Sequence, residues 1–226
     1  MTVQQRYYLG AAAVILATFV GTVIAYPQLP SLVPLHWDVQ GPLNSWGPKW
    51  SLFLYMPGLM VGILLMFVAL PWISPKRFEG NSFRPAYLYI MIVIVALLSY
   101  SQLLVLFSGL GMNVDVTRAI EGGICLLIAL VGNVMGKVRR NFFVGIRTPW
   151  TLANEKVWDA THHFASKTMV VGGVLSMITV IAGTPFWFPL TAVLTSAFMP
   201  AIYSLIFYKD LERRGASSEA ARPLLR

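Results

Sequence analysis

Runs of Leu, Val, Ile, Met and Phe recur along this chain, separated by short polar stretches in which Pro, Gly and charge collect. Six runs approach the roughly 20 apolar residues a helix needs to cross the hydrocarbon core of a bilayer. They lie at Tyr7–Tyr26, Ser51–Ile73, Tyr87–Leu110, Val116–Gly136, Thr168–Thr184 and Leu190–Tyr208. The fifth is the shortest, and the turn "GTPFWFP" joins it tightly to the sixth. The pattern predicts an all-α fold, an integral membrane bundle of six transmembrane helices. Arg6 ahead of the first run gives it some likeness to a signal peptide. The run is long, however, and no A-x-A-like site follows, so a retained anchor is expected.

Composition strengthens this reading. Of the 226 residues 57% are hydrophobic and only 12% charged, against about 25% charged in a soluble domain. The formal net charge of +8 would suggest nucleic acid in a soluble protein, but its placement supplies another cause. If the N-terminus is cytoplasmic, only Lys49 and Arg118 fall outside; the other fifteen of the 17 Lys and Arg fall inside. Such a bias predicts an N-in/C-in orientation, with the lipid bilayer as partner and no direct contact with nucleic acid. The expected organisation is a helical hairpin over 1–73 with a folded extracytoplasmic loop at 27–50. A four-helix region follows over 74–208 with a cytoplasmic loop at 137–167, then a cytoplasmic tail over 209–226 that is helical at first and frayed beyond Gly215.

Candidate chemistry concentrates in the two long loops. The outer one, "YPQLPSLVPLHWDVQGPLNSWGPKW", has too much Pro and Gly for a long helix. Its Trp37, Trp46 and Trp50 suit the membrane interface. It reads as a cap at headgroup level or as a recognition surface for an agent arriving from outside. His36 and Asp38 supply too few ligands for a firm metal site. The inner loop holds "NFFVGIRTPWTLANEKVWDATHHF". Thr148 and Pro149 resemble an N-cap and first helical residue, with Thr151 and Asn154 as alternative caps. The residues after them predict a cytoplasmic amphipathic helix between the fourth and fifth membrane helices. Trp150 and Trp158 would anchor it at the interface, and a polar face would remain available to a partner. Adjacent His162 and His163 diverge by about 100° on a helix, no H-E-x-x-H pair is present, and no nucleophile stands beside a base. Neither catalysis, a metal nor a cofactor is expected.

Within the membrane, Glu121 stands three residues from Arg118 on one helical face. Either the two form an interfacial ion pair, or Glu121 belongs to a proton or ligand site. Ser101, Gln102 and Asn133 are candidates for interhelical hydrogen bonds. Gly132-x-x-x-Gly136 allows close helix contact. Cys125 reads as a small buried apolar residue.

The inner loop also resembles the signature of the SdpI family of bacterial membrane proteins, approximately N-x-x-x-G-I-R-T-P-W-T-L-x-N-x-x-V-W-x-x-T-H-x-x-x-G-K. Asn141, Gly145, Ile146, Arg147, Thr148, Pro149, Trp150, Thr151, Leu152, Asn154, Val157, Trp158, Thr161, His162 and Lys167 stand at matching positions, and Ser166 replaces the usual Gly. The outer loop is similar to the domain of unknown function that often precedes this family, through Pro34, His36, Trp37, Asp38, Gly41, Gly47 and Lys49. The resemblance implies immunity to a secreted toxic peptide, and a signalling role in which a small helix-turn-helix repressor is held at the membrane. On that reading His36, Trp37, Asp38, Gly41, Gly47 and Lys49 meet the extracytoplasmic peptide. Asn141, Gly145, Arg147, Thr148, Pro149, Trp150, Thr151, Asn154, Trp158 and His162 bind a cytoplasmic partner or brace the bundle. A small transporter or membrane enzyme is the alternative.

Overall fold

The computed structural model describes residues 1–38, 43–73, 84–141 and 143–220, with side chains described as far as residue 215. Its order is α1 (Val3–Ala25), β1 (Leu32–Trp37), β2 (Leu43–Pro48), α2 (Tyr55–Ile73), α3 (Arg84–Gly109), α4 (Val116–Met135), α5 (Pro149–Ala153), α6 (Glu155–Ile181) and α7 (Trp187–Ala220). All but α5 among these helices are long and apolar enough to cross a membrane, giving six spans. Their outward faces carry large apolar side chains such as Leu16, Leu65, Leu175, Ile178 and Phe198. That surface is stable when lipid rather than water covers it.

The bundle has two packed groups of helices. On one side α1 and α2 flank α3, with Met60, Leu88, Met91 and Val95 almost wholly buried between them. Gln102 ties this group together at depth: its Nε2 donates to Thr22 Oγ1 at 3.0 Å and to the Leu52 carbonyl at 3.1 Å. Ser101 instead donates within its own helix, to the Leu97 carbonyl, and Asn133 is exposed. On the other side α6 lies between α4 and α7 in the most extensive contacts of the molecule. Small residues make this possible. A Cβ on Gly173 would come within 2.7 Å of Cys125 O and Ala129 N, and one on Gly132 within 2.9 Å of Val170 N. The Gly132-x-x-x-Gly136 face is therefore covered by α6 of the same chain, where Ser166 Cβ sits in ordinary contact with Gly136.

Two features differ from the sequence-based expectation. The outer loop contains an antiparallel hairpin, β1 against β2, with Val33 opposite Gly47 and Pro34 opposite Trp46. Two register shifts, around His36, break the alternation that would advertise strands. The second difference is at the fifth span. No separate amphipathic helix precedes it: α5 is a single short turn, and α6 runs unbroken from Glu155 to Ile181. At 1.5 Å per residue its 27 residues extend about 40 Å, roughly 10 Å more than the hydrocarbon core. α6 is thus longer than the core alone requires. Similarly, α7 is helical to Ala220, past Gly215.

Candidate functional site

The helices carry the two sequence motifs to opposite ends of the bundle. At the motif end, α4 stops at Gly136 and the chain turns back through residues 137–148 to start α5. Asn141, fully buried, organises this turn. Its Nδ2 donates to the carbonyls of Arg139 and Val144, each at 2.9 Å, and its Oδ1 accepts from the N–H groups of Phe143 and Val144, each at 2.7 Å. All the hydrogen-bonding capacity of the amide is used on local backbone, which is how a polar side chain is buried at low cost.

Trp158 and His162, one turn apart on α6, plug the underside of the turn. Trp158 is 0% exposed and His162 1%. Trp158 Nε1 donates to the Val138 carbonyl at 2.7 Å. The His162 ring stacks on the indole at 4.0 Å between centroids. A carbonyl can only accept, so His162 Nδ1 donates to Trp158 O at 2.8 Å; Nε2 then accepts the Ile146 N–H at 3.0 Å. Both ring nitrogens are occupied, and the bonding pattern specifies the neutral Nδ1–H tautomer. Gly145 makes room for the ring: its φ is +119°, and a Cβ there would collide with His162. Trp158 is therefore a core residue, not an interfacial anchor, because α6 turns its Trp158–His162 stripe towards residues 138–146.

The turn of α5 is closed by its own caps. Thr148 Oγ1 accepts from the Thr151 N–H, Thr151 Oγ1 accepts from the Thr148 N–H, and Pro149 occupies the first helical position, where no N–H is needed. Thr151 Oγ1 also donates to the Ile146 carbonyl at 2.8 Å. Asn154 then caps α6 by accepting from Lys156 N and Val157 N. Arg140 donates to the Leu152 carbonyl at 3.2 Å, holding the two sides of the cap together. Trp150 Nε1 donates to Ser204 Oγ at 2.6 Å, attaching the cap to α7. The partners Val138, Ile146, Arg140 and Ser204 were not among the expected site residues. The first three act through backbone atoms or a long side chain, and Ser204 is 54 positions from Trp150, so no local spacing signals it. Asp159 is 3.7 Å from Arg139. Lys137, Arg139, Arg147, Pro149, Ala153, Glu155, Lys156 and His163 are exposed at this end.

At the hairpin end, Val33 joins Ala25, Leu29, Leu52, Val105 and Leu106 in a small apolar core, with Leu35 and Trp37 packed against it. Lys49 fixes the hairpin to α1: its Nζ donates to the carbonyls of Tyr26 and Leu29, each at 3.2 Å, and lies 4.5 Å above the Tyr26 ring. It thereby satisfies carbonyls that the end of α1 leaves open. A Cβ on Gly47 would collide with Leu35. His36 Nδ1 pairs with Asn44 Oδ1 across the hairpin at 2.7 Å, and Thr117 Oγ1 donates to the Asp38 carbonyl at 3.4 Å, linking hairpin to α4. Gly41 lies outside the described residues. The hairpin presents outward His36 and Trp46, the latter 57% exposed, with Trp50 just beyond it at 59%.

Glu121 is half-buried beside a cavity of about 210 Å³ lined by Cys125, Phe186 and Leu190. The ion pair expected between Arg118 and Glu121 is not formed. Arg118 pairs instead with Asp115, at 3.5 Å, because Asp115 caps the first turn of α4 and stands three residues before it.

Residues 137–204, which contain the whole cap and Ser204, match the profile of the SdpI/YfhL protein family. Residues 13–61, which contain the hairpin, match a domain of unknown function, DUF1648. Immunity protein SdpI of Bacillus subtilis is 27% identical over 200 residues, covering 88% of this chain and 94% of that protein. No solved structure matches the chain. The chain is thus similar to the SdpI/YfhL family over its motif region and to DUF1648 over its hairpin region, and with its six long apolar helices it is a multi-pass bacterial membrane protein.

Proposed function

We propose that this protein protects its cell against a secreted, membrane-active peptide, which it meets at the hairpin end. The orientation is part of the proposal: the fifteen basic residues face the cytoplasm, so the hairpin faces outward. The observation that carries the reading is the exposure of Trp46 and Trp50 on a hairpin held in place by Lys49. Rigid aromatic side chains on a fixed support can bury large area against an apolar peptide with little loss of side-chain freedom. Trp37, Asp38, Gly47 and Lys49 support that surface from within, and His36, itself exposed, adds a polar group paired with Asn44. The relative's name, an immunity protein, agrees with this reading.

The motif end is the second surface. A helix-turn-helix repressor held there would contact Arg147, Glu155, Lys156 and His163, exposed polar residues of the cap, while Trp158 and His162 keep the cap folded. The test is growth of a susceptible host challenged with a panel of purified membrane-active bacterial peptides. It would carry wild type, Trp46→Ala/Trp50→Ala or Arg147→Ala at matched membrane levels. Wild type is expected to protect against at least one peptide, the double variant to lose that protection, and Arg147→Ala to retain it. Absence of protection by wild type against the whole panel sinks the immunity reading. Full protection by the double variant moves the contact away from the hairpin.

A further inference from the structure

We infer that the groove between α6 and α7 is a binding site for one anionic phospholipid, with its phosphate on Lys167 and an acyl chain along the groove. The groove is open on its lipid side, has a volume of about 630 Å³, and runs from Lys167 to Thr179 on α6 and from Phe188 to Met199 on α7. Twelve residues of helix cover about 18 Å, a little more than one leaflet's share, about 15 Å, of the hydrocarbon core. A chain entering from the headgroup level at Lys167 therefore has a channel of its own length.

The groove exists because its floor is made of small residues. Gly172 lies so close to α7 that a Cβ on it would collide with Ser196. The polar groups of the floor are already engaged: Thr168 Oγ1 donates to the Ser196 carbonyl at 3.0 Å, and Ser196 Oγ donates to the Val193 carbonyl at 2.8 Å. What remains for a ligand is mostly apolar surface along the length, the exposed Thr195 hydroxyl at the rim and one cation at the end. Lys167 is exposed and forms no ion pair among the described residues, and its long side chain can rise to the phosphate level.

A second groove of about 510 Å³, between α3, α4 and α6, gives a contrast. It too has a cation at one end, Arg118, but Asp115 neutralises that charge at 3.5 Å and Glu121 follows one turn on. Charge complementarity to an anionic headgroup thus singles out the Lys167 groove. The assignment does not depend on which leaflet the motif end faces.

The experiment is native mass spectrometry of the full-length protein after incubation with equal amounts of phosphatidylglycerol and phosphatidylethanolamine. One phosphatidylglycerol per chain is expected to be retained with about fivefold preference, the selectivity one lysine near an anionic headgroup supplies. Lys167→Gln should abolish the preference, and Thr195→Phe, which fills the groove from its exposed rim, should lower retention of both lipids. Arg118→Gln should change neither. Helicity by circular dichroism would verify that each variant is folded. Equal retention of the two lipids by wild type, or an unchanged preference in Lys167→Gln, overturns the assignment. So does a lipid-free dimer that Thr195→Phe dissociates, which would make a second copy of the chain the occupant.

Discussion

Gly145 and His162 are two halves of one constraint. The glycine adopts a φ of +119°, which disfavours any side chain, and the vacated space is filled by the imidazole. Gly145→Ala therefore combines backbone strain with displacement of a buried ring. The expected loss is about 2 kcal/mol or more, read as a lower midpoint of thermal unfolding in detergent by tryptophan fluorescence. An unchanged midpoint would mean that the turn is not built on His162. The histidine can be tested separately. His162→Phe keeps an aromatic ring against Trp158 but leaves the Ile146 N–H and the Trp158 carbonyl without their side-chain partner. The Trp158 carbonyl keeps its helical bond, but the buried Ile146 N–H is left unsatisfied at a cost of roughly 1–3 kcal/mol, so the phenylalanine variant should be destabilised although it is more apolar. A variant as stable as wild type would show that the stacking, and not the two hydrogen bonds, holds His162 in place.

At the scale of the elements, the fold rests on glycines that let α4, α6 and α7 approach within backbone contact. Gly173→Leu puts a branched side chain where Cys125 O and Ala129 N already sit at 2.7 Å from a single added carbon. Overpacking of this kind typically costs 1–3 kcal/mol and occasionally more. Folded protein is expected to disappear from the extractable membrane fraction, as measured by gel filtration with fluorescence detection. If these glycines served association between chains instead, the same variant would remain folded and shift only from dimer to monomer. The spans themselves were legible from hydropathy because lipid demands unbroken apolar runs. The hairpin was not, since Pro34 and the register shifts around His36 obscure a strand pattern. The start of α6 was hidden for a different reason. "NEKVWDATHH" looks polar enough for an interfacial surface, and only the tertiary contacts of Trp158 with Val138 and of His162 with Ile146 reveal that its inner stripe is core. The caps at Thr148 and Asn154 were readable because their partners lie within three residues; the Trp150–Ser204 bond was not, because its partner lies on another helix.

For the molecule as a whole, orientation decides what each end can meet. Both ends bear aromatic and polar groups, and the hydrogen bonds alone are indifferent to which faces the cytoplasm. The argument is electrostatic: among the described residues eleven Lys and Arg lie towards the motif end and only Lys49 and Arg118 towards the hairpin end, and basic residues flanking membrane spans are retained on the cytoplasmic side. The prediction can be checked with single cysteines introduced into a Cys125→Ser background, Cys125 being buried and the one native cysteine. Trp46→Cys and Lys156→Cys replace exposed residues at opposite ends, neither with a side-chain hydrogen bond that the fold needs. In intact spheroplasts an impermeant maleimide should modify the cysteine at position 46 and leave that at position 156 unmodified until the membrane is permeabilised. The reverse labelling would put the hairpin inside the cell, out of reach of a secreted peptide, and would leave the proposed immunity surface without access to its ligand. Labelling of both positions in intact spheroplasts would mean that the two ends do not lie on opposite sides of the membrane, which would contradict the arrangement of the spans themselves.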